Sequence, residues 1–61
     1  MIQVLLIEDE EPIRRVLFRI LSEENENYQV TEAVDGKEGL KILGSKQFDL
    51  VLCDIKMPKM D

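Results

Sequence analysis

The chain has little of what several common functions require. Aromatic residues make up only 5% of it, which argues against a surface that stacks nucleic-acid bases. Base does not offset acid: the formal net charge is -5. That balance disfavours direct contact with nucleic acid or with an anionic membrane. A single cysteine, Cys53, leaves no internal disulfide. Its place inside an apolar run reads as a small buried side chain rather than a reactive thiol, and it fits a reducing cytosol. No glycine-rich turn follows the first apolar run, so Gly36 and Gly39 do not make a dinucleotide fingerprint. Met1-Ile2-Gln3 lacks a basic leader, and no apolar stretch is long enough for a signal peptide or a membrane span. A cytoplasmic protein is expected. There is no internal repeat and no low-complexity tract. Sixty-one residues hold at most one small domain, with a modest core.

What is present is a soluble globular composition, 44% apolar and 34% charged, with an ordered pattern. Leu50-Val51-Leu52-Cys53 is apolar without a break and stops at Asp54. Such a run reads as an interior strand of a parallel sheet, covered by helices on both faces. Pro58 marks the loop beyond it. Val4-Leu5-Leu6-Ile7 repeats the design and runs into Glu8-Asp9-Glu10-Glu11. Two strands that finish in acid are the main signal of the sequence. Acid at the carboxyl end of a strand stands where open α/β sheets place their ligands.

Between these runs the order is β-α-β-α-β. Residues 2–7 form the first strand. Pro12 suits the first turn of a helix, and Glu10 and Glu11 complement its dipole. Ile13, Val16, Leu17, Ile20 and Leu21 fall on one helical face. Arg14, Arg15 and Arg19 take the other sides, where Glu10–Arg14, Glu11–Arg15 and Arg19–Glu23 are spaced to pair. A solvated face is preferred there to a docking surface. Residues 23–27 form a turn. Residues 28–33 alternate and read as a half-exposed edge strand. Asp35 is a natural N-cap for the second helix, Leu40 and Leu43 give it a narrow apolar face, and Gly44 can end it. Gly39 suits close packing against the sheet, and Phe48 plugs the core below the connector. Helical crossovers of this length require parallel pairing.

If the first and third strands are neighbours, Asp9 and Asp54 emerge side by side on strands about 4.8 Å apart. Carboxylates at that spacing need compensation, and a hard cation such as Mg²⁺ with oxygen ligands supplies it. A metal there can neutralise a phosphoryl group approaching a carboxylate, which can itself be the nucleophile.

The segments Val4-Leu5-Leu6-Ile7-Glu8-Asp9-Glu10, Val34-Asp35-Gly36 and residues 49–61 resemble the receiver domain of two-component response regulators. The resemblance spans the whole chain, and its last motif is highly specific. It implies an α/β, flavodoxin-like (CheY-like) parallel sheet, of which this βαβαβ half has strand order 2-1-3. It implies that Asp54 is the phosphoacceptor, that Asp9 is a direct Mg²⁺ ligand assisted by Glu8 through water, and that the Lys56 backbone carbonyl is a further ligand. Glu8 stands where the family commonly has aspartate. The implied phosphoryl donor is a sensor histidine kinase, and the implied output is a further domain. The role is that of a signalling module rather than an enzyme.

Residues 1–61 are expected to be the N-terminal half of such a receiver, without the family's hydroxyl residue after strand four or its lysine after strand five. A half-domain of this kind should self-associate through the bare edge of its third strand. Two other functions compete with the phosphoacceptor: a pseudo-receiver that binds partners without phosphorylation, and a truncated or engineered half-domain with a purely structural role.

Overall fold

The computed structural model describes residues 1–54. Its elements run β1 (Ile2–Glu8), α1 (Glu11–Glu24), β2 (Tyr28–Ala33), α2 (Gly36–Leu43) and β3 (Leu50–Asp54). The strands form one parallel sheet in the order β2-β1-β3. This is the α/β half-fold that the element order predicts, in the 2-1-3 order that the resemblance to receiver domains implies. Both acid-bearing strands run one residue further than their apolar stretches, so Glu8 and Asp54 are the last residues of their strands.

The central strand is β1. Val4 and Leu5 are 0% exposed, Leu6 1% and Ile7 5%. Side chains alternate between the faces of a strand. Leu5, Ile7 and Ala33 share one face, where Ile42 and Phe48 pack on them. Val4, Leu6 and Glu8 share the other, beneath α1, whose Arg14 reaches Glu32 in register with Leu6. The two helices therefore lie on opposite faces. The apolar run 50–53 is not covered as an interior strand would be; in the 2-1-3 half it stands at the bare edge expected of the third strand. Leu50, Val51 and Cys53 are exposed because β3 is an edge strand among the described residues and neither helix covers it. Cys53 is consequently an exposed free thiol, not a buried one.

The helices are rotated from their expected positions. In α1 the half-buried line is Arg14, Leu17, Phe18 and Leu21, while Ile13, Val16 and Ile20 are exposed. The apolar residues thus divide between two faces instead of sharing one. Arg14 explains the rotation: its contacts with the sheet turn its own side inward. The helix also continues to Glu24, and the turn that follows closes on Asn25. The Asn25 Oδ1 accepts from the Asn27 N–H at 2.9 Å, and the Asn25 carbonyl accepts from the Tyr28 N–H at 3.0 Å. In α2, Gly39 and Ile42 face the sheet, and Leu40 and Leu43, expected to form the apolar face, are 72% and 39% exposed. Gly39 has no side chain to hold the helix away, so the backbone settles against Ile7 and the next residue is carried round to solvent. Phe48 does pack beneath the connector, as its position suggested.

The start of the sheet is tied across both seams. The Ile2 N–H donates to the Asn27 carbonyl at 2.7 Å. Asp49 engages both backbone groups of Gln3: its N–H donates to the Gln3 carbonyl at 2.8 Å, and its Oδ2 accepts from the Gln3 N–H at 2.8 Å. The Gln3 Nε2 donates to the Gln29 Oε1 at 2.7 Å along the same face.

A Cβ added at Gly39 would stand 2.5 Å from the Ile7 Cδ1 and 3.0 Å from its Cγ1. Overpacking costs about 1–3 kcal/mol, whereas alanine gains about 1 kcal/mol of helix propensity over glycine. Gly39→Ala should therefore destabilise the protein by about 1 kcal/mol in urea denaturation. Adding Ile7→Val, which deletes Cδ1, should make the alanine substitution close to neutral. An unchanged midpoint in the single variant would mean that α2 does not approach β1 this closely.

Candidate functional site

The acidic residues collect at the carboxyl end of the sheet, the edge that open parallel sheets use for ligands. The ladder between β1 and β3 pairs Ile7 with Cys53 and Glu8 with Asp54. The residue opposite Asp54 is thus Glu8, not Asp9 as the shorter strands suggested. Asp9 is the next residue along, just past the ladder, and it is exposed.

Only Asp9 and Glu10 separate β1 from α1, and the loop is closed from several directions. The Glu8 side chain is 1% exposed, and its Oε2 accepts from the Glu10 N–H at 2.9 Å. The Arg14 N–H donates to the Glu10 carbonyl at 2.9 Å, the bond that begins α1. The Arg14 guanidinium turns back, and Nη1 donates to the Glu8 carbonyl at 3.0 Å. Its Nε lies 3.3 Å from the Glu32 Oε1, and the two side chains are 11% and 29% exposed. That oxygen accepts no well-aimed hydrogen bond, so this contact is an ion pair of opposite charges. Arg14 thereby links the end of β1 to β2 from beneath.

The same sheet edge carries the start of α2. The Asp35 Oδ1 caps the helix by accepting from the Glu38 N–H at 2.7 Å, and the Glu38 Oε1 accepts from the Val34 N–H at 3.3 Å. This reciprocal arrangement satisfies two donors at the helix entrance. It bears out Asp35 as the N-cap.

The structure thus brings Glu8 and Asp54 together in the ladder and sets Asp9 beside them. Oxygen-only donors of this kind suit a hard cation that keeps several waters, as Mg²⁺ does. Among the described side chains, which do not include that of Asp54, no set of three ligating groups converges. The expected Lys56 carbonyl lies outside the described residues. Arg14 and Glu32 are the members of this cluster that the sequence reading missed. A signal for Arg14 was available: it falls at i, i+3, i+4 and i+7 with Leu17, Phe18 and Leu21, the line that faces the sheet.

Comparison with known proteins gives a consistent picture. The response regulator receiver domain family matches residues 4–61. The chain is 39% identical over 61 residues to the response regulator ArlR of Staphylococcus saprophyticus, covering 100% of this chain and 27% of that protein. It is 42% identical over 59 residues to the probable transcriptional regulator ycf27 of Porphyridium aerugineum, covering 97% of this chain and 24% of that protein. It is 38% identical over 61 residues to a protein-glutamate methylesterase/protein-glutamine glutaminase of Nitratidesulfovibrio vulgaris, covering 100% of this chain and 17% of that protein. The chain spans less than a third of the length of these relatives. No solved structure matches significantly.

Removing the Glu8 carboxylate should loosen the loop. Glu8→Ala removes the acceptor of the Glu10 N–H and empties a buried position, at a cost of about 2 kcal/mol. Glu8→Gln keeps an acceptor oxygen at the same reach and should retain most of that stability. Urea denaturation of both variants checks this, and an equal loss in the two would mean that the bond to Glu10 contributes nothing.

Proposed function

Because the chain belongs to the response regulator receiver domain family, we propose that it accepts a phosphoryl group on Asp54 from a sensor histidine kinase. The observation that carries this reading is the ladder that pairs Glu8 with Asp54 at the ligand-binding edge, with Asp9 the next residue on. A carboxylate oxygen of Asp54 attacks the phosphorus. The bond from phosphorus to the donor's imidazole nitrogen breaks, the imidazole leaves, and an acyl phosphate forms on the aspartate. Asp9 and Asp54 would hold Mg²⁺ directly, with the Lys56 carbonyl as a further ligand and Glu8 assisting through water. When bound, the ion offsets the charge of the phosphoryl oxygens. The buried Glu8 fixes the loop that presents Asp9, so this chain's own contribution is the placing of oxygen donors before the phosphoryl group arrives.

The proposed wider assignment is a two-component phosphorelay in the cytoplasm. Among the described residues no helix is long and apolar enough to cross a membrane. The relatives named above include a probable transcriptional regulator and a protein-glutamate methylesterase/protein-glutamine glutaminase. We take the acceptor step to be the role of this chain, with outputs of those kinds belonging to a further domain of a longer protein. A pseudo-receiver is the weaker reading, because Glu8, Asp9 and Asp54 are all acids.

Full-length protein treated with acetyl phosphate and Mg²⁺ should gain one hydroxylamine-labile phosphoryl group that maps to Asp54 by peptide mass spectrometry. Chelating the Mg²⁺ should abolish the labelling, and Asp54→Asn should reduce it to background. Undiminished labelling of Asp54→Asn would remove Asp54 as the acceptor.

A further inference from the structure

We propose that Arg14 is a positioning residue for the acidic loop, and that its side chain sets the affinity for the divalent cation by holding the backbone just before Asp9, while the first helix bond of α1 holds the backbone just after it. The inference rests on Asp9 serving as a ligand. It starts from an oddity: an arginine on the sheet-facing line of α1, its side chain only 11% exposed. Taking a guanidinium out of water is costly unless its donors are used. Here they are used on particular partners. Nη1 donates to the carbonyl of Glu8, the residue before Asp9. The backbone N–H of the same Arg14 donates to the carbonyl of Glu10, the residue after Asp9. Asp9 is therefore the residue enclosed by two bonds from one arginine. Glu32 holds the guanidinium from β2 at 3.3 Å, so the clamp is braced against a second strand.

Two physical effects of Arg14 on a nearby cation oppose each other. As a positive charge it repels the ion, and removing it should tighten binding through space. As a clamp it keeps Asp9 in one geometry, and removing it should weaken binding. Groups that orient ligands without touching the metal typically contribute 10–100-fold to affinity. The positioning effect should win, because Nη1 holds the Glu8 carbonyl and Nε is paired with Glu32. Lysine keeps the charge but lacks the planar fork that serves the carbonyl and Glu32 together, so it should not restore the clamp.

The test is a Mg²⁺ titration of full-length protein followed by amide chemical shifts. Arg14→Gln should weaken Mg²⁺ binding about tenfold. Arg14→Lys should weaken it to a similar degree, and Glu32→Gln by a smaller factor. In metal-free Arg14→Gln the Glu10 amide, held by the Glu8 carboxylate, should exchange faster with solvent while the Leu5 and Leu6 amides keep their protection. That pattern separates a loosened loop from a loosened fold. Unchanged or tighter Mg²⁺ binding in Arg14→Gln would overturn the proposal, as would full recovery in Arg14→Lys, which would reduce Arg14 to a charge. Asp9→Asn in the same titration separates the two levels. If it binds Mg²⁺ like the parent, the ligand assignment fails and takes this inference with it. If it loses binding while Arg14→Gln does not, the inference alone fails.

Discussion

The rest of the structure depends on β1 being buried on both faces and hydrogen-bonded along both edges. Four consecutive residues, Val4 to Ile7, have almost no exposure, and each apolar side chain withdrawn this fully contributes roughly 1.5–3 kcal/mol. The strand is registered against β2 from Ile2 to Ile7 and against β3 from Val4 to Glu8. A strand held this way has a fixed end, and its end is Glu8. The chemistry at the sheet edge thus starts from the best-determined point in the fold. A carboxylate can be buried there because the chain turns at once and offers it the Glu10 N–H.

Each helix is seated on that strand by a contact that hydrophobicity alone would not select. On one face a glycine lets α2 touch Ile7 with its backbone. On the other an arginine draws α1 in by its hydrogen bond to Glu8 and its ion pair with Glu32. Amphipathic spacing makes a segment helical, but these two contacts fix its rotation about its own axis. They also decide which apolar residues remain outside, namely Ile13, Val16 and Ile20 on α1 and Leu40 and Leu43 on α2.

This explains what could be read from the sequence and what could not. The two apolar runs, the alternation of residues 28–33 and the Asp35 cap gave the elements and their order, because each is a local signal. The acids at the strand ends were equally legible, since an apolar run that stops at a carboxylate is visible in one dimension. Which run is central was not legible from the runs themselves and came only from the resemblance to receiver domains, whose 2-1-3 order puts Val4–Ile7 in the middle. Val4–Ile7 and Leu50–Cys53 look alike, and the difference lies in which of them the crossovers bring between neighbours. The exposure of Cys53 follows from that. Arg14 was misread because a basic residue on a helix defaults to solvent, and its partners are a carbonyl six residues back and a carboxylate on another strand.

Asp49 lies at the opposite end of the sheet from the acids, yet it bears on their arrangement. It takes both backbone groups of Gln3, one with its own N–H and one with its carboxylate. From Gln3 to Glu8 and from Asp49 to Asp54 the count of residues is the same. Strand residues advance at a constant step of about 3.3 Å, so matching the two starting points matches the two finishing points. A slip of one residue would turn every side chain of β3 to the wrong face. The juxtaposition of Glu8 and Asp54 is in this sense measured off from a datum at the far end, as by a ruler laid along the sheet. Damage to that datum would reach the acids as an error of alignment, with no contact to them lost.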